Sequence, residues 1–182
     1  MFYQNSEKGE GMAYLEITGG KRLGGEVSVH GAKNSVLPIL AASLMVHGES
    51  VIHNCPDLSD VSYTLQILEK LGAEVKREGA TLTVNAANIS SSTIPEALMR
   101  EMRSSIIFLG ALASRMGEAS VYLPGGCEIG LRPIDLHLAG LRSLDYEVMF
   151  DGSNICLKGG HAKANRVVLP FPSVGATENI IL

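Results

Sequence analysis

A chain of 182 residues with 46% hydrophobic content can bury a substantial core, enough for one domain or one and a half, and is globular rather than disordered. Its 15 Lys and Arg against 19 Asp and Glu leave a net charge of -4 with no basic patch. This excludes nucleic-acid binding by backbone charge and confines any phosphate site to a local cluster.

No run reaches the roughly 18 consecutive apolar residues of a membrane span, and the opening Met1-Phe2-Tyr3-Gln4-Asn5-Ser6-Glu7-Lys8 lacks a signal peptide's apolar centre, so a cytoplasmic protein without membrane contact is expected. Residues 1–12 read as a flexible polar extension, and Met12 is an alternative start. Within 13–26, Tyr14-Leu15-Glu16-Ile17 reads as a strand and Gly19-Gly20 as a turn, and Glu26-Val27-Ser28-Val29 follows as a second alternating strand. The run from Val36 to Met45 is apolar nearly all round and predicts a buried helix, with Pro38 tolerable in its first turn. Ser50-Val51-Ile52-His53 is the next strand. An amphipathic helix carries Val61, Leu65, Leu68 and Leu71 and ends at Gly72, and two strands follow around Glu74-Val75-Lys76 and Thr81-Leu82-Thr83-Val84.

The pattern then returns. A shift of 70 lays Arg103-Ser104-Ser105-Ile106-Ile107 on Lys33-Asn34-Ser35-Val36-Leu37 and Glu118-Ala119-Ser120-Val121 on Gly48-Glu49-Ser50-Val51. A shift of 73 lays Leu138, Leu141 and Leu144 on Leu65, Leu68 and Leu71, and Glu147-Val148 on Glu74-Val75, so a three-residue excess falls in the loop around Cys127. A third unit opens with a strand at Arg166-Val167-Val168-Leu169 and stops inside its apolar helix at Leu182, which reads as truncation. The units span about 27–95, 96–163 and 164–182, each planned as strand, helix, strand, helix, strand, strand. That alternation predicts an α/β (α+β) fold with the apolar helices at its centre and the amphipathic ones covering sheets.

Cys127 lies in Pro124-Gly125-Gly126-Cys127-Glu128-Ile129-Gly130, with Arg132 five residues on. Glycines allow close approach, and a nearby guanidinium lowers a thiol from its usual value of about 8.5, so this is a candidate reactive thiolate; a packing cysteine in a glycine-rich turn is the alternative. Cys55, Cys127 and Cys156 are odd in number and widely spaced, which fits reduced thiols and no zinc site, and no histidine has metal-ligand spacing. The repeat places Lys33 and Arg103 alike at a helix start, where a cation is unfavourable without an anionic partner. Either a bound phosphate or carboxylate supplies that partner, or an acidic side chain such as Glu101 or Glu178 does. Asn34 can bond a hydroxyl or phosphate, or cap the helix; Asp135 is aimed outward by Pro133, or caps the next helix. His137 reads as a packing or capping residue. Backbone N–H groups at Ser173-Val174-Gly175 are available to a further anion.

Taken together, Gly31-Ala32-Lys33-Asn34 with Leu37-Pro38-Ile39-Leu40-Ala41-Ala42, Met102-Arg103-Ser104-Ser105-Ile106, Leu123-Pro124-Gly125-Gly126-Cys127 with Gly130, Arg132-Pro133-Ile134-Asp135-Leu136-His137, and Pro172-Ser173-Val174-Gly175-Ala176-Thr177-Glu178-Asn179 resemble the UDP-N-acetylglucosamine 1-carboxyvinyltransferase family, the enolpyruvyl transferases that begin peptidoglycan precursor synthesis. The resemblance runs from about Tyr14 to Leu182. It implies an inside-out α/β barrel built from βαβαββ repeats, with Cys127 as proton donor and as the thiol that adds to phosphoenolpyruvate. By the same resemblance Lys33, Asn34 and Arg132 hold phosphoenolpyruvate. Arg103, Arg132, Pro133, Ile134, Asp135, Leu136, Ser173, Val174 and Gly175 hold UDP-N-acetylglucosamine, without cofactor or metal. Phe171 stands where the family often has Lys, and Pro170 where Asp is common. The general base is expected from a carboxylate of a second domain beyond Leu182, whose sheet would take the strand before Glu26. A non-catalytic module that binds a uridine sugar nucleotide is the alternative function.

Overall fold

The computed structural model describes residues 17–125, 133–160 and 162–182. Helices occupy the centre and two antiparallel sheets the outside. Helix α1 (Lys33–Ala42) continues into a 3-10 turn at Ser43–Met45 and strand β1 (Glu49–Ile52); then come α2 (Ser59–Leu71), β2 (Glu74–Glu78) and β3 (Thr81–Asn85). The second unit has α3 (Glu96–Glu101), a 3-10 turn at Arg103–Ile107, α4 (Phe108–Met116), β4 (Glu118–Tyr122), α5 (Asp135–Ser143), β5 (Glu147–Asp151) and β6 (Asn154–Lys158), and α6 (Val174–Ile181) follows.

The repeat is visible in the pairing. One sheet is ordered β1-β3-β2 and the other β4-β6-β5. Glu74 pairs with Asn85 and Glu147 with Lys158, the same register shifted by 73. The opening strands refine the sequence alignment: Glu49 pairs with Asn85 and Glu118 with Lys158, so 36 positions separate the first pair and 40 the second. The excess in the second unit is therefore four residues, not three, because pairing makes Glu118 the equivalent of Glu49, one residue off the shift of 70 that relates the helix starts. Each central strand turns one face inward, with Leu82 and Val84 buried in the first sheet and Ile155 and Leu157 in the second. This follows from the period-2 geometry of a strand.

Helix α4 is the hub, touching α1, α6, β4, β6 and both 3-10 turns, with Phe108, Leu109, Ala111, Leu112 and Ala113 buried. Helix α2 buries one side, through Val61, Thr64, Ile67, Leu68 and Leu71. It ends at Gly72, whose φ of 105° suits a residue without a Cβ. The N–H groups of Gly72 and Ala73 donate to the Glu69 and Leu68 carbonyls, closing the terminal carbonyls with paired bonds.

Four expectations change. Pro38 lies in the second turn of α1, where it withholds the N–H that would bond the carbonyl of Asn34. The apolar run is buried on one side only, at Val36, Leu37, Leu40 and Ala41, leaving Ile39 49% exposed. Glu26–Val29 is not a strand: Val27 and Val29 are 91% and 88% exposed, and alternation cannot specify a strand that has no neighbouring edge and no face to bury. Arg166–Leu169 is likewise unpaired among the described residues. The second unit keeps its opening strand in minimal form, as Thr93 bridges Ser120 in parallel, with Ser120 N–H donating to the Ser92 carbonyl and Ile94 N–H to the Ser120 carbonyl. The Tyr14–Ile17 strand lies largely outside the described residues, and Ile17 itself is exposed coil.

The helices meet through glycines. A Cβ on Gly110 would stand 2.1 Å from the Asn179 carbonyl oxygen, and neither backbone can move without disturbing the other helix. Gly110→Ala is therefore expected to cost about 3 kcal/mol in urea unfolding of the full-length protein. Gly79→Ala meets open space and only a left-handed φ of 58°, so about 1 kcal/mol is expected there.

Candidate functional site

Lys33 is the first residue of α1, and its half-exposed side chain (51%) donates to Asp60 Oδ2 at 2.9 Å. The acidic partner left open in the sequence is thus Asp60, in the first turn of α2, rather than Glu101 or Glu178. Asn34 is exposed beside it, and the α1 cap at Ala32 receives no side-chain bond, so Asn34 does not act as cap. Arg103 opens the equivalent 3-10 turn, which packs against α1. Its Nη2 donates to the Pro133 carbonyl at 3.4 Å, tying this helix start to the chain that leads into α5.

That leader contains Pro133, exposed, and Ile134, buried and in the capping position of α5. Asp135 is the first residue of the helix, exposed and forming no cap bond; it contributes a first-turn carboxylate favourable to the helix dipole. Leu136 is half-buried beside it. At the start of α6, Ser173 caps the helix by accepting the Ala176 N–H at 3.2 Å. That donor is therefore already used, while Val174 is exposed at 77%. A Cβ on Gly175 would lie 3.4 Å from Cε1 and 3.6 Å from Nε2 of His137. The starts of α5 and α6 thus adjoin, and Arg103 with Pro133 adds the third wall. Lys33 and Asn34 lie on α1, against which the Arg103 turn packs. Cys127 and Arg132 lie outside the described residues, but the root of their loop is fixed. Gly125 N–H donates to the Met99 carbonyl at 3.1 Å, and a Cβ there would meet the Arg100 carbonyl at 2.3 Å.

Sequence reasoning missed the polar cluster behind these walls. Asn179 is 1% exposed; its Oδ1 accepts the Gly110 N–H at 2.6 Å, and its Nδ2 donates to the Ile106 carbonyl at 3.1 Å and to His137 Nδ1 at 3.0 Å. An asparagine inside an apolar helix was the available signal, since a buried amide needs partners. Burial lowers the His137 pKa to about 4; the Arg103 charge acts in the same direction and Asp135 opposes it. Of the other cysteines, Cys55 and Cys156 are free thiols, and burial pushes the Cys55 thiol up against the pull of Arg77. No metal-binding group of three His, Cys, Asp or Glu occurs among the described residues, and none of their helices is long and apolar enough to cross a membrane.

His137 is thus held neutral in the fold, whereas an unfolded histidine titrates near 6.5. Between these values the unfolded chain binds more protons, so stability rises with pH. Stability is expected to be fully retained above about pH 6.5 and lost as pH falls toward 4. Melting temperature against pH checks this, and the slope should flatten in His137→Gln.

The family model for EPSP synthase (3-phosphoshikimate 1-carboxyvinyltransferase) matches residues 17–182. The chain is 53% identical over 171 residues to UDP-N-acetylglucosamine 1-carboxyvinyltransferase 2 of Caldanaerobacter subterraneus subsp. tengcongensis, covering 94% of the chain and 41% of that relative. It is 44% identical to UDP-N-acetylglucosamine 1-carboxyvinyltransferase of Dichelobacter nodosus over 94% of the chain and 41% of the relative. It therefore spans about two fifths of the length of these curated relatives. Among solved structures, the enolpyruvyl transferase NikO from Streptomyces tendae superposes with a TM-score of 0.67 at 25% identity, over 79% of this chain and 32% of that one. EPSP synthase from Acinetobacter baumannii gives 0.66 at 17% identity over 86% and 37%, a likeness of fold. The fold is the inside-out α/β architecture of the enolpyruvyl transferases, and the chain belongs to the EPSP synthase (3-phosphoshikimate 1-carboxyvinyltransferase) family.

Proposed function

We propose that this chain forms one side of the site of an enolpyruvyl transferase that joins phosphoenolpyruvate to the 3-hydroxyl of UDP-N-acetylglucosamine and releases phosphate, the first committed step of peptidoglycan precursor synthesis, in the cytoplasm. The observation that carries the reading is the 53% identity over 94% of the chain to a relative named UDP-N-acetylglucosamine 1-carboxyvinyltransferase 2. The geometry supports it, because Lys33 and Arg103 stand at the starts of repeat-related helical segments that pack together.

The roles follow from the chemistry. The methylene carbon of phosphoenolpyruvate takes a proton from Cys127 as the sugar oxygen attacks the adjacent carbon. The tetrahedral adduct then expels phosphate and returns a proton from the methyl carbon to restore the double bond. Lys33, Asn34 and Arg132 hold the carboxylate and phosphate, two cations and an amide donor where negative charge collects. Arg103, Arg132, Pro133, Ile134, Asp135, Leu136, Ser173, Val174 and Gly175 line the sugar nucleotide. On this reading the base that takes the hydroxyl proton is a carboxylate outside these 182 residues, contributed by a second domain, and no cofactor or metal takes part.

Phosphate release from phosphoenolpyruvate and UDP-N-acetylglucosamine is the test, in the full-length protein. Turnover is expected to vanish in Cys127→Ala and to return in part in Cys127→Asp, whose carboxylic acid also donates a proton; normal turnover in Cys127→Ala would remove the donor role. Nucleotide binding without phosphate release by the unsubstituted protein would favour the non-catalytic module. Lys33→Ala should raise the KM for phosphoenolpyruvate at least about ten-fold. Its melting temperature should barely move, because the exposed pair with Asp60 contributes only about 0–1 kcal/mol.

A further inference from the structure

Asn179 occupies a place that no helical residue needs for packing alone. In a continuous α-helix the Gly110 N–H would bond the carbonyl four residues back, that of Ile106. Here the 3-10 turn Arg103–Ile107 meets α4 at that point, and the Asn179 amide stands between the two groups, accepting from one at 2.6 Å and donating to the other at 3.1 Å. Those bonds fix the amide's orientation, since Gly110 offers only a donor and Ile106 only an acceptor. The second Nδ2 hydrogen then points to His137 Nδ1 at 3.0 Å. Nδ1 must accept, so the imidazole proton sits on Nε2, the nitrogen beside Gly175.

We infer that Asn179 is a positioning residue for the proposed sugar-nucleotide side of the site. Its single amide locks three parts together: the turn that carries Arg103, the helix that begins after Pro133-Ile134, and the helix capped by Ser173. It also holds His137 as a neutral donor through Nε2 at the corner where α5 and α6 meet. The charges acting on His137 are Arg103 from the 3-10 turn and Asp135 from its own helix; α6 presents Asn179 and Gly175 to it. Of the three residues proposed for phosphoenolpyruvate, Lys33 and Asn34 lie on α1, outside this network, and only Arg132 adjoins it in sequence, so phosphoenolpyruvate binding should change far less. The inference rests on the function proposed above.

Two measurements on the full-length protein test it. In Asn179→Ala the KM for UDP-N-acetylglucosamine should rise about ten-fold while that for phosphoenolpyruvate stays within about two-fold, the loss expected when buried bonds to one substrate's wall are removed. Equal rises for both substrates, or none, would overturn the assignment. In Asn179→Asp a carboxylate faces His137 Nδ1. Nitrogen-15 NMR of labelled histidine should then show His137 moving from the Nε2-protonated neutral form to the imidazolium at a higher pH than in the unsubstituted protein. The KM for UDP-N-acetylglucosamine should become pH-dependent over the same range. An unmoved His137 titration would sink the tautomer role even if Asn179→Ala fails to fold. Absence of turnover in the unsubstituted protein would count against the proposed reaction alone, and the NMR titration would still decide what Asn179 does.

Discussion

The buried amide of Asn179 is the constraint on which the packing of the second unit depends. A 3-10 turn that passes into an α-helix inside a core breaks the usual helical bond between the Gly110 N–H and the Ile106 carbonyl, and a buried N–H left unsatisfied costs about 1–3 kcal/mol. One side chain from α6 answers both and reaches a third group on α5. The helices must come close for a short amide to do this, and the glycines record it. Gly110 lies under Asn179, and Gly140 lies under Ile180, whose Cδ1 would be 2.2 Å from a Cβ on that glycine. Small residues on two helices and one polar residue on a third form a single device, and the adjoining starts of α5 and α6 result from it.

The two complete units differ where chemistry is expected and agree where scaffolding is needed. Their hairpins share one register, and their central strands bury corresponding residues. The four extra residues of the second unit lie between β4 and β6, the interval that contains the Cys127 loop and α5. Loop length costs little entropy, growing only slowly with each added residue, so a repeat can accept an insertion without disturbing its sheet. The insertion is anchored at its root by Gly125 against Met99 and by Leu123 N–H on the Ser153 carbonyl. Those ties let an added loop be aimed while the strands around it keep their pairing.

Much of this was legible in the sequence. The repeat, the hairpins and the α2 stop at Gly72 follow from period and turn chemistry, which act locally. Strands that depend on a distant edge were not legible in the same way. Glu26–Val29 alternates as strands do and Arg166–Leu169 is a β-branched apolar run, yet neither is paired among the described residues, while Ser92–Ile94 is held by two bonds to Ser120. Helix α3 was missed because its six residues bury only Met99 and leave little periodic signal. At the site, Lys33 and Arg103 were visible as a coincidence of repeats, and the Arg103 bond to Pro133 joins two of the motifs picked out from sequence. Asp60 and Asn179 were not weighed as partners, because ion pairs and buried amides are chosen by three-dimensional neighbours rather than by spacing.

The pairing of Lys33 with Asp60 does not weaken the anion reading; magnitudes decide this. At half exposure a lysine–carboxylate contact contributes about 0–1 kcal/mol. A phosphate or carboxylate at a helix start gains from oriented backbone N–H groups as well as from the cation. On the proposed function Asp60 is a placeholder, a contact weak enough to be exchanged for a bound anion. Arg103 shows the complementary arrangement. Its bond to the Pro133 carbonyl helps to orient the guanidinium, whose charge acts as far as His137. Related by the repeat, the two cations are thus tied to different neighbours, Lys33 to a carboxylate on α2 and Arg103 to a carbonyl in the chain that leads into α5.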